Sequence, residues 1–375
     1  MDAKQDNCKP KVFYDPMSMN WSEKYSDKID VVWGKLPDFL RGTLAAIAVF
    51  LLGVSFNGEW INITVHLSKQ LGYFKAKNFF LTDFKYFWLS SIAVSYSMFI
   101  LIGGFLHWYF YVRQRDTPEK WKCQPHKFLS PELERHEILM GSFTLFVNCT
   151  VSSLIACYVA NGGWSMTYYN INDYPLWWFV LQIPAIFIYQ DYSTYLLHRL
   201  YHRPFLYKHF HKLHHKYKQP TAFSVTAIHP VESVHLELNY ALPLFIIPCH
   251  WATFYAVCLY VYYNGIINHS GIDFKASWWQ PWQPDTMFHD NHHQYFHVNY
   301  GFNCEIWDKI HGTYRRKDMI YNEDNFDGKP ICEATEEELK NELEERMSEN
   351  PAAHRGENYL LMKEELVMNL KDKSE

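Results

Sequence analysis

The chain has no C-x-x-C pair among its 8 cysteines, which removes the framework of a cysteine zinc site. A chain of 375 residues is also too large to need a disulfide scaffold. Several of the cysteines fall in apolar runs, where a free thiol packs as a small hydrophobe. There is no C-x-x-C-H for haem attachment and no G-x-G-x-x-G after a strand pattern, so no electron carrier of its own is expected. A concentrated basic stripe is missing, which excludes a nucleic-acid footprint. The opening MDAKQDNCKP is polar and has no apolar h-region. No cleavable leader is expected, and the reducing, cytosol-facing setting is favoured. Repeats and low-complexity segments are absent too. With 48% apolar, 18% aromatic and 20% charged residues, disordered and collagen-like classes are out.

What is present is segregated along the chain. A mean hydropathy of -0.27 would suit a soluble protein. Yet residues 321–375 carry 16 Asp and Glu against 7 Lys and Arg, while the whole chain is only -5. The remaining body is mildly basic, which suits a protein lying against an anionic membrane face.

Four apolar stretches precede residue 191. Residues 39–56 are short and hold Arg41, whose long side chain can snorkel. Residues 86–112 end in Trp108, Tyr109, Phe110 and Tyr111 before Arg113 and Arg115. Residues 138–160 and 174–190 are uncharged, the latter opening near Trp177 and Trp178. About 20 apolar residues cross a bilayer, and aromatic belts with basic ends mark its interfaces. A fifth region, 238–268, is broken by Pro243 and by Pro248-Cys249-His250, which predicts two short segments forming a hairpin.

The fold class expected is an all-α membrane protein with about four transmembrane helices, a re-entrant or short hairpin and a cytosolic helical metal domain. Its parts are a cytosolic segment 1–38, transmembrane helices 39–190, a histidine-box domain 191–320 with the hairpin at 238–267, and an acidic cytosolic tail 321–375. An even number of crossings puts both termini in the cytosol. There Lys371 and Lys373 match the K-x-K-x-x address that returns proteins to the endoplasmic reticulum membrane. Lys69, Lys75, Lys77 and Lys85 argue the other way, since they fall in a loop that this topology makes lumenal. Residues 333–347 read as an exposed helix, with Thr335 and Glu338 at capping-box spacing and Glu336/Lys340 and Glu342/Arg346 as i,i+4 pairs.

The chemistry is concentrated in histidine. Of 20 histidines, 15 lie between His198 and His311. His198 and His202 form an H-x-x-x-H; His211, His214 and His215 form an H-x-x-H-H; His289, His292 and His293 repeat it. On a helix the i, i+3 and i+4 positions share a face, so each box is expected to aim its imidazoles at a common point. Eight nitrogen ligands exceed the three or four that one zinc takes and fit a two-metal centre. Imidazole suits iron, copper, nickel and zinc, so spacing does not name the metal.

These boxes, in this order after paired apolar spans, resemble the fatty acid hydroxylase/sterol desaturase superfamily of membrane di-iron oxidases, over about residues 176–314. The resemblance extends to Lys212-Leu-His-His, to Pro220-Thr-Ala-Phe223 leading to His229-Pro230, to Asn268-His269-Ser-Gly271, to Asn299-Tyr-Gly301, and to Trp307-Asp308 running to Thr313. It implies His229 and His269 as additional ligands, two iron ions (zinc in competition during purification) and O2 as the oxidant of an unactivated C–H bond. It also implies cytochrome b5 and an NAD(P)H reductase as separate electron donors. Carboxylates that orient the ligands are expected, with Asp191, Glu232, Glu237 and Asp290 nearest.

The resemblance implies a sterol substrate, with C5-desaturation and C4-methyl or other hydroxylation both open. A fatty acyl or sphingolipid hydroxylase is the alternative among enzymes. A non-catalytic membrane scaffold with a structural metal site and a zinc hydrolase are the readings of other classes. The hydrolase needs an open site with about three ligands, whereas these boxes crowd the metal with nitrogen.

Overall fold

The computed structural model describes residues 83–276, 280, 282–316 and 318–353. The expected span at 39–56, Lys69, Lys75, Lys77, Lys371 and Lys373 lie outside these residues.

Among the described residues, two helices are long and apolar enough to cross a membrane, α1 (Phe84–Arg113) and α2 (Pro131–Ala160), each of 30 residues. At 1.5 Å per residue each reaches about 45 Å. Helix α2 begins as its sequence dictates. Ser130 Oγ accepts from the amide of Leu133, Pro131 fills the first helical position, and Glu132 and Glu134 face the positive end of the helix dipole. Trp88 Nε1 of α1 donates to Thr150 Oγ1 of α2 at 3.1 Å, and Tyr96 OH to Ser142 O at 2.7 Å. The opposite faces expose Leu89, Ile100, Leu101 and Phe105 on α1 and Leu139, Phe143 and Leu154 on α2. Exposed apolar ridges on helices of this length are consistent with membrane-spanning helices.

Helix α3 (Leu176–Tyr201) carries the fourth apolar stretch straight into the first histidine box. Its start exposes Leu176, Trp177, Val180 and Leu181, whereas Gln190, Asp191, Thr194, Tyr195 and His198 are buried. After α4 (Pro204–His209), the second box lies on a 3₁₀ segment, His211–Lys216. A further 3₁₀ turn, Ala222–Thr226, leads to α5 (Pro230–Ala241) and α6 (Pro243–Ile246). The anticipated hairpin is unequal: Pro243 and Pro248 break its first arm, but the second is one 18-residue helix, α7 (Trp251–Asn268). Helix α8 (Met287–Tyr295) holds the third box, and α9 (Ile306–His311) follows.

The described residues are mostly helical, with two exceptions to the all-α expectation. Strands β1 (Thr167–Tyr168) and β2 (Cys249–His250) pair in parallel, and β3 (Met319–Asn322) and β4 (Asn325–Pro330) form an antiparallel hairpin. The tail differs from its expectation as well. Helix α10 (Glu336–Ser348) has the Thr335–Glu338 capping box and the exposed Glu336–Lys340 pair. Glu342 and Arg346, however, are buried and paired at 2.7 Å, because this face of α10 packs inward.

Helix α2 is tied to the histidine region where it meets the 222–226 turn. A Cβ on Gly141 of α2 would lie 2.8 Å from Phe223 O, so only glycine lets the helix approach the 222–226 turn this closely. Beside it, Glu137 accepts from Thr221 N at 2.9 Å, from Thr221 Oγ1 at 2.7 Å and from Ser224 Oγ. The Pro220–Phe223 motif is thereby clamped to α2.

Candidate metal centre

Nine histidines converge in two buried groups. His198, His202, His211, His215 and His292 form one; His214, His269, His289 and His293 form the other. Within each group the candidate ligand atoms lie within 4.8 Å of one another. An imidazole–metal bond of about 2.1 Å places ligands on opposite sides of an ion about 4 Å apart, so each group is close to the size that one ion would draw together.

The boxes do not each aim at one point, contrary to the simple helical expectation. The i,i+4 pairs 198/202, 211/215 and 289/293 stay together, while the i+3 residues His214 and His292 join the opposite group. On α8 the reason is angular. Successive residues are about 100° apart, so His292 points well away from its neighbour His293. Each H-x-x-H-H box thus serves both groups and ties them together; rings of His211 and His214 lie 5.4 Å apart, and those of His289 and His292 5.3 Å apart.

The outer ring nitrogens define which way the lone pairs point. A backbone carbonyl only accepts, so a ring nitrogen bonded to one carries the proton. By this rule His198 Nδ1 donates to Tyr300 O (2.8 Å), His292 Nδ1 to Val298 O (2.7 Å), His269 Nδ1 to Gly265 O (2.8 Å) and His214 Nδ1 to Ala227 O (3.4 Å). His211 Nδ1 lies 2.7 Å from Glu232 Oε1 in a buried contact. In the four rings bonded to carbonyls, the neutral form leaves an Nε2 lone pair facing inward. His269 Nε2 and His214 Nε2 are 3.3 Å apart, two acceptors confronting each other. His211 Nε2 also lies 3.1 Å from His215 Nε2.

Burial disfavours the protonated form that would relieve this. It pushes His198 down to about 3 and His269 down to about 4, and holds His202, His214, His215, His289, His292 and His293 well below the ordinary histidine range. Neutral imidazoles with converging lone pairs fit a bound cation, and a buried unsatisfied acceptor costs about 1–3 kcal/mol without one.

The structure separates the sequence candidates. Nine of the ten histidines are brought together, His269 among them. His229 is in neither group: its Nδ1 accepts from Val231 N at 3.2 Å as the cap of α5, the position that Pro230 at the first turn creates. Among the four carboxylates only Glu232 contacts a histidine of either group. Asp191 instead accepts from Asn303 N (2.9 Å) and Trp307 Nε1 (2.7 Å), fastening α3 to the approach to α9. Glu237 accepts from Ser152 Oγ at 2.6 Å, and Asp290 from Gln124 Nε2 at 2.8 Å.

Two supporting residues were not anticipated. Asp308 accepts from Tyr300 N (2.8 Å), Gly301 N (2.7 Å) and Thr313 Oγ1 (2.6 Å), and so sets the loop whose carbonyl holds His198. His297 stands 3.0 Å behind His202, Nδ1 to Nδ1. Its i,i+4 spacing from His293 was a usable signal, but α8 ends at Tyr295, and Phe296 at φ 64° turns His297 to the far side of the group.

Comparison with known proteins agrees with this geometry. Residues 183–313 match the family described as Fatty acid hydroxylase. The chain is 33% identical over 156 residues to a lathosterol oxidase of Rattus norvegicus and 31% identical over 157 residues to a probable Delta(7)-sterol 5(6)-desaturase of Neurospora crassa. It is 34% identical over 164 residues to a Delta(7)-sterol 5(6)-desaturase of Candida dubliniensis. These alignments use 41%, 42% and 42% of this chain and span 52%, 45% and 40% of the relatives, about half their length. No solved structure matches the chain. Both histidine groups fall inside the segment that is similar to the fatty acid hydroxylase family.

Proposed function

We propose that this chain is an iron-dependent, O2-using lipid oxidoreductase of the endoplasmic reticulum membrane, and that its reaction is 5(6)-desaturation of a sterol. The observation that carries the reading is the pair of buried histidine groups with lone pairs turned inward. In this reading the five-histidine group holds one iron and the four-histidine group the other, zinc being a competitor in purified protein. When bound, the irons supply the redox chemistry that acid–base side chains cannot direct at an unactivated C–H bond. The names of the relatives favour desaturation over hydroxylation and a sterol over a fatty acyl chain.

The remaining roles belong to the chain's own residues. Helix α3 passes from exposed apolar side chains to buried His198 within one continuous helix, a route from lipid to the metal centre. Tyr300 O, Val298 O, Gly265 O and Glu232 hold the rings in the ligating tautomer, and the buried walls exclude water. Four crossings, with the start of α3 in the membrane and both termini cytosolic, and retrieval through Lys371 and Lys373 complete the reading. Electrons come from cytochrome b5 and its NAD(P)H reductase as separate partners.

The test is expression in a host lacking its own sterol 5(6)-desaturase, with sterols and fatty acids analysed by mass spectrometry and His292→Ala as control. Loss of two hydrogens from a sterol, absent in the control, is the expected result. Hydroxylated acyl chains with unchanged sterols would replace it with the fatty acyl hydroxylase reading. No change in either lipid from metal-loaded protein would favour the scaffold.

A further inference from the structure

His202 is the one ligand of the five-histidine group whose outer nitrogen meets another histidine. His297 Nε2 lies 2.9 Å from Glu323 O, so it donates, and the neutral ring then offers a lone pair at Nδ1. His202 Nδ1, 3.0 Å away, must be the donor to it. This leaves His202 Nε2 as an acceptor turned into the group, 3.3 Å from His215 Nε2. The protonation pattern of His202 is thus set two residues away, by a main-chain carbonyl in the β3–β4 turn.

The hairpin that supplies this carbonyl lies beyond residue 313, where the family-matched segment ends. Phe326 of β4 packs on the His297 ring at 4.1 Å, with Tyr207 also against it at 5.0 Å. A buried charge lattice holds this region to α8. Arg315 pairs with Glu349 at 2.9 Å and lies 3.7 Å over the Tyr295 ring, Tyr295 OH donates to Glu349, and Arg346 donates to Met319 O of β3 at 3.2 Å. Gln294 of α8 donates to Glu345 O at 2.8 Å.

We infer that His297 is a positioning residue for the metal centre, and that the β3–β4 hairpin and α10 beyond the matched family segment form part of the metal site by holding it. The inference rests on the two-metal reading above. Partners that orient a ligating histidine typically contribute about 10- to 100-fold in metal affinity.

The experiment is an anaerobic iron(II) titration of full-length, detergent-purified protein, with the visible spectrum of the cobalt(II)-loaded form as a second readout. His297→Ala should weaken one of two binding events by about 10- to 100-fold and alter the cobalt spectrum. His297→Gln, which keeps both an acceptor and a donor, should recover most of the affinity. Phe326→Ala, which leaves every ligand and His297 in place, should weaken the same event by a few-fold, and it serves as the test if His297→Ala fails to fold. Wild-type affinities in His297→Ala, or in Phe326→Ala where only that variant folds, would overturn the inference while leaving the two-metal reading intact. Wild-type protein that binds no metal would overturn that reading instead.

Discussion

The five-histidine group and the four-histidine group share the two H-x-x-H-H boxes but are braced differently. In the first, four of five outer nitrogens are held: His198 by Tyr300 O, His202 by His297, His211 by Glu232 and His292 by Val298 O. In the second, His269 has a 2.8 Å bond to Gly265 O and His214 a long 3.4 Å contact to Ala227 O. Among the described residues, His289 Nδ1 and both nitrogens of His293 have no hydrogen-bond partner. Rings fixed in the ligating orientation lose less freedom when a metal arrives. The difference teaches that ligand count and ligand preparation are separate properties, and that the first site should bind more tightly than the second.

The largest effect expected comes from removing one ligand of either group. His292→Ala and His214→Ala should each lower sterol oxidation by more than about 100-fold while leaving the protein in the membrane fraction. Metal analysis should distinguish them, since His214→Ala keeps the tighter ion and His292→Ala weakens it. Activity near wild type in either variant would show that the two groups do not act together.

Next comes Glu232→Ala, expected to weaken the tighter site by about 10- to 100-fold in an iron(II) titration. Glu237→Ala should leave both affinities in place, because its carboxylate is 2.6 Å from Ser152 rather than a histidine. Equal losses in the two variants would remove the distinction between them.

Metal-free protein should lose stability as pH falls. Burial lowers His198 to about 3 and His269 to about 4 from an ordinary value of 6.5, so the unfolded chain binds more protons below 6.5. Their contribution is therefore fully present above 6.5 and is lost as pH falls from 6.5 towards the folded values, by up to about 1.4 kcal/mol per pH unit for each group. Thermal unfolding of the metal-free protein across this range checks the sign. Bound metal at 100 times its Kd should add about 2.7 kcal/mol.

Asp308→Asn should destabilise by about 1–3 kcal/mol, since it disturbs the acceptor of two buried amides behind His198. His229→Ala is the smallest expected change. It removes a helix cap worth about 1 kcal/mol and should leave metal stoichiometry untouched. Loss of an ion in His229→Ala would return that residue to the ligand set.

Much of the centre was legible because box spacing is local. The i,i+4 pairs read from the sequence do share a group, and His269 came from the resemblance around Asn268-His269-Ser-Gly271. Less local properties were hidden. The crossing of His214 and His292 to opposite groups depends on how three segments face one another. The assignment of Asp191 to Asn303 and Trp307 joins residues more than 100 positions apart. His229 has a second local role that the sequence also offers, because a polar residue before proline can cap a helix. In the tail, i,i+4 spacing found Glu342 and Arg346, but spacing does not say whether such a pair faces water or Met319. Apolar length marked α1 and α2, while the second arm of the 238–268 region became one continuous 18-residue helix.

The most direct test of the unequal two-metal centre is an anaerobic iron(II) titration of metal-free, full-length protein beside Glu232→Ala and His293→Ala. The account predicts two ions per chain bound with different affinities, the tighter event weakened by Glu232→Ala and the weaker one lost in His293→Ala. A single event, or two equal events that both variants weaken alike, would contradict it.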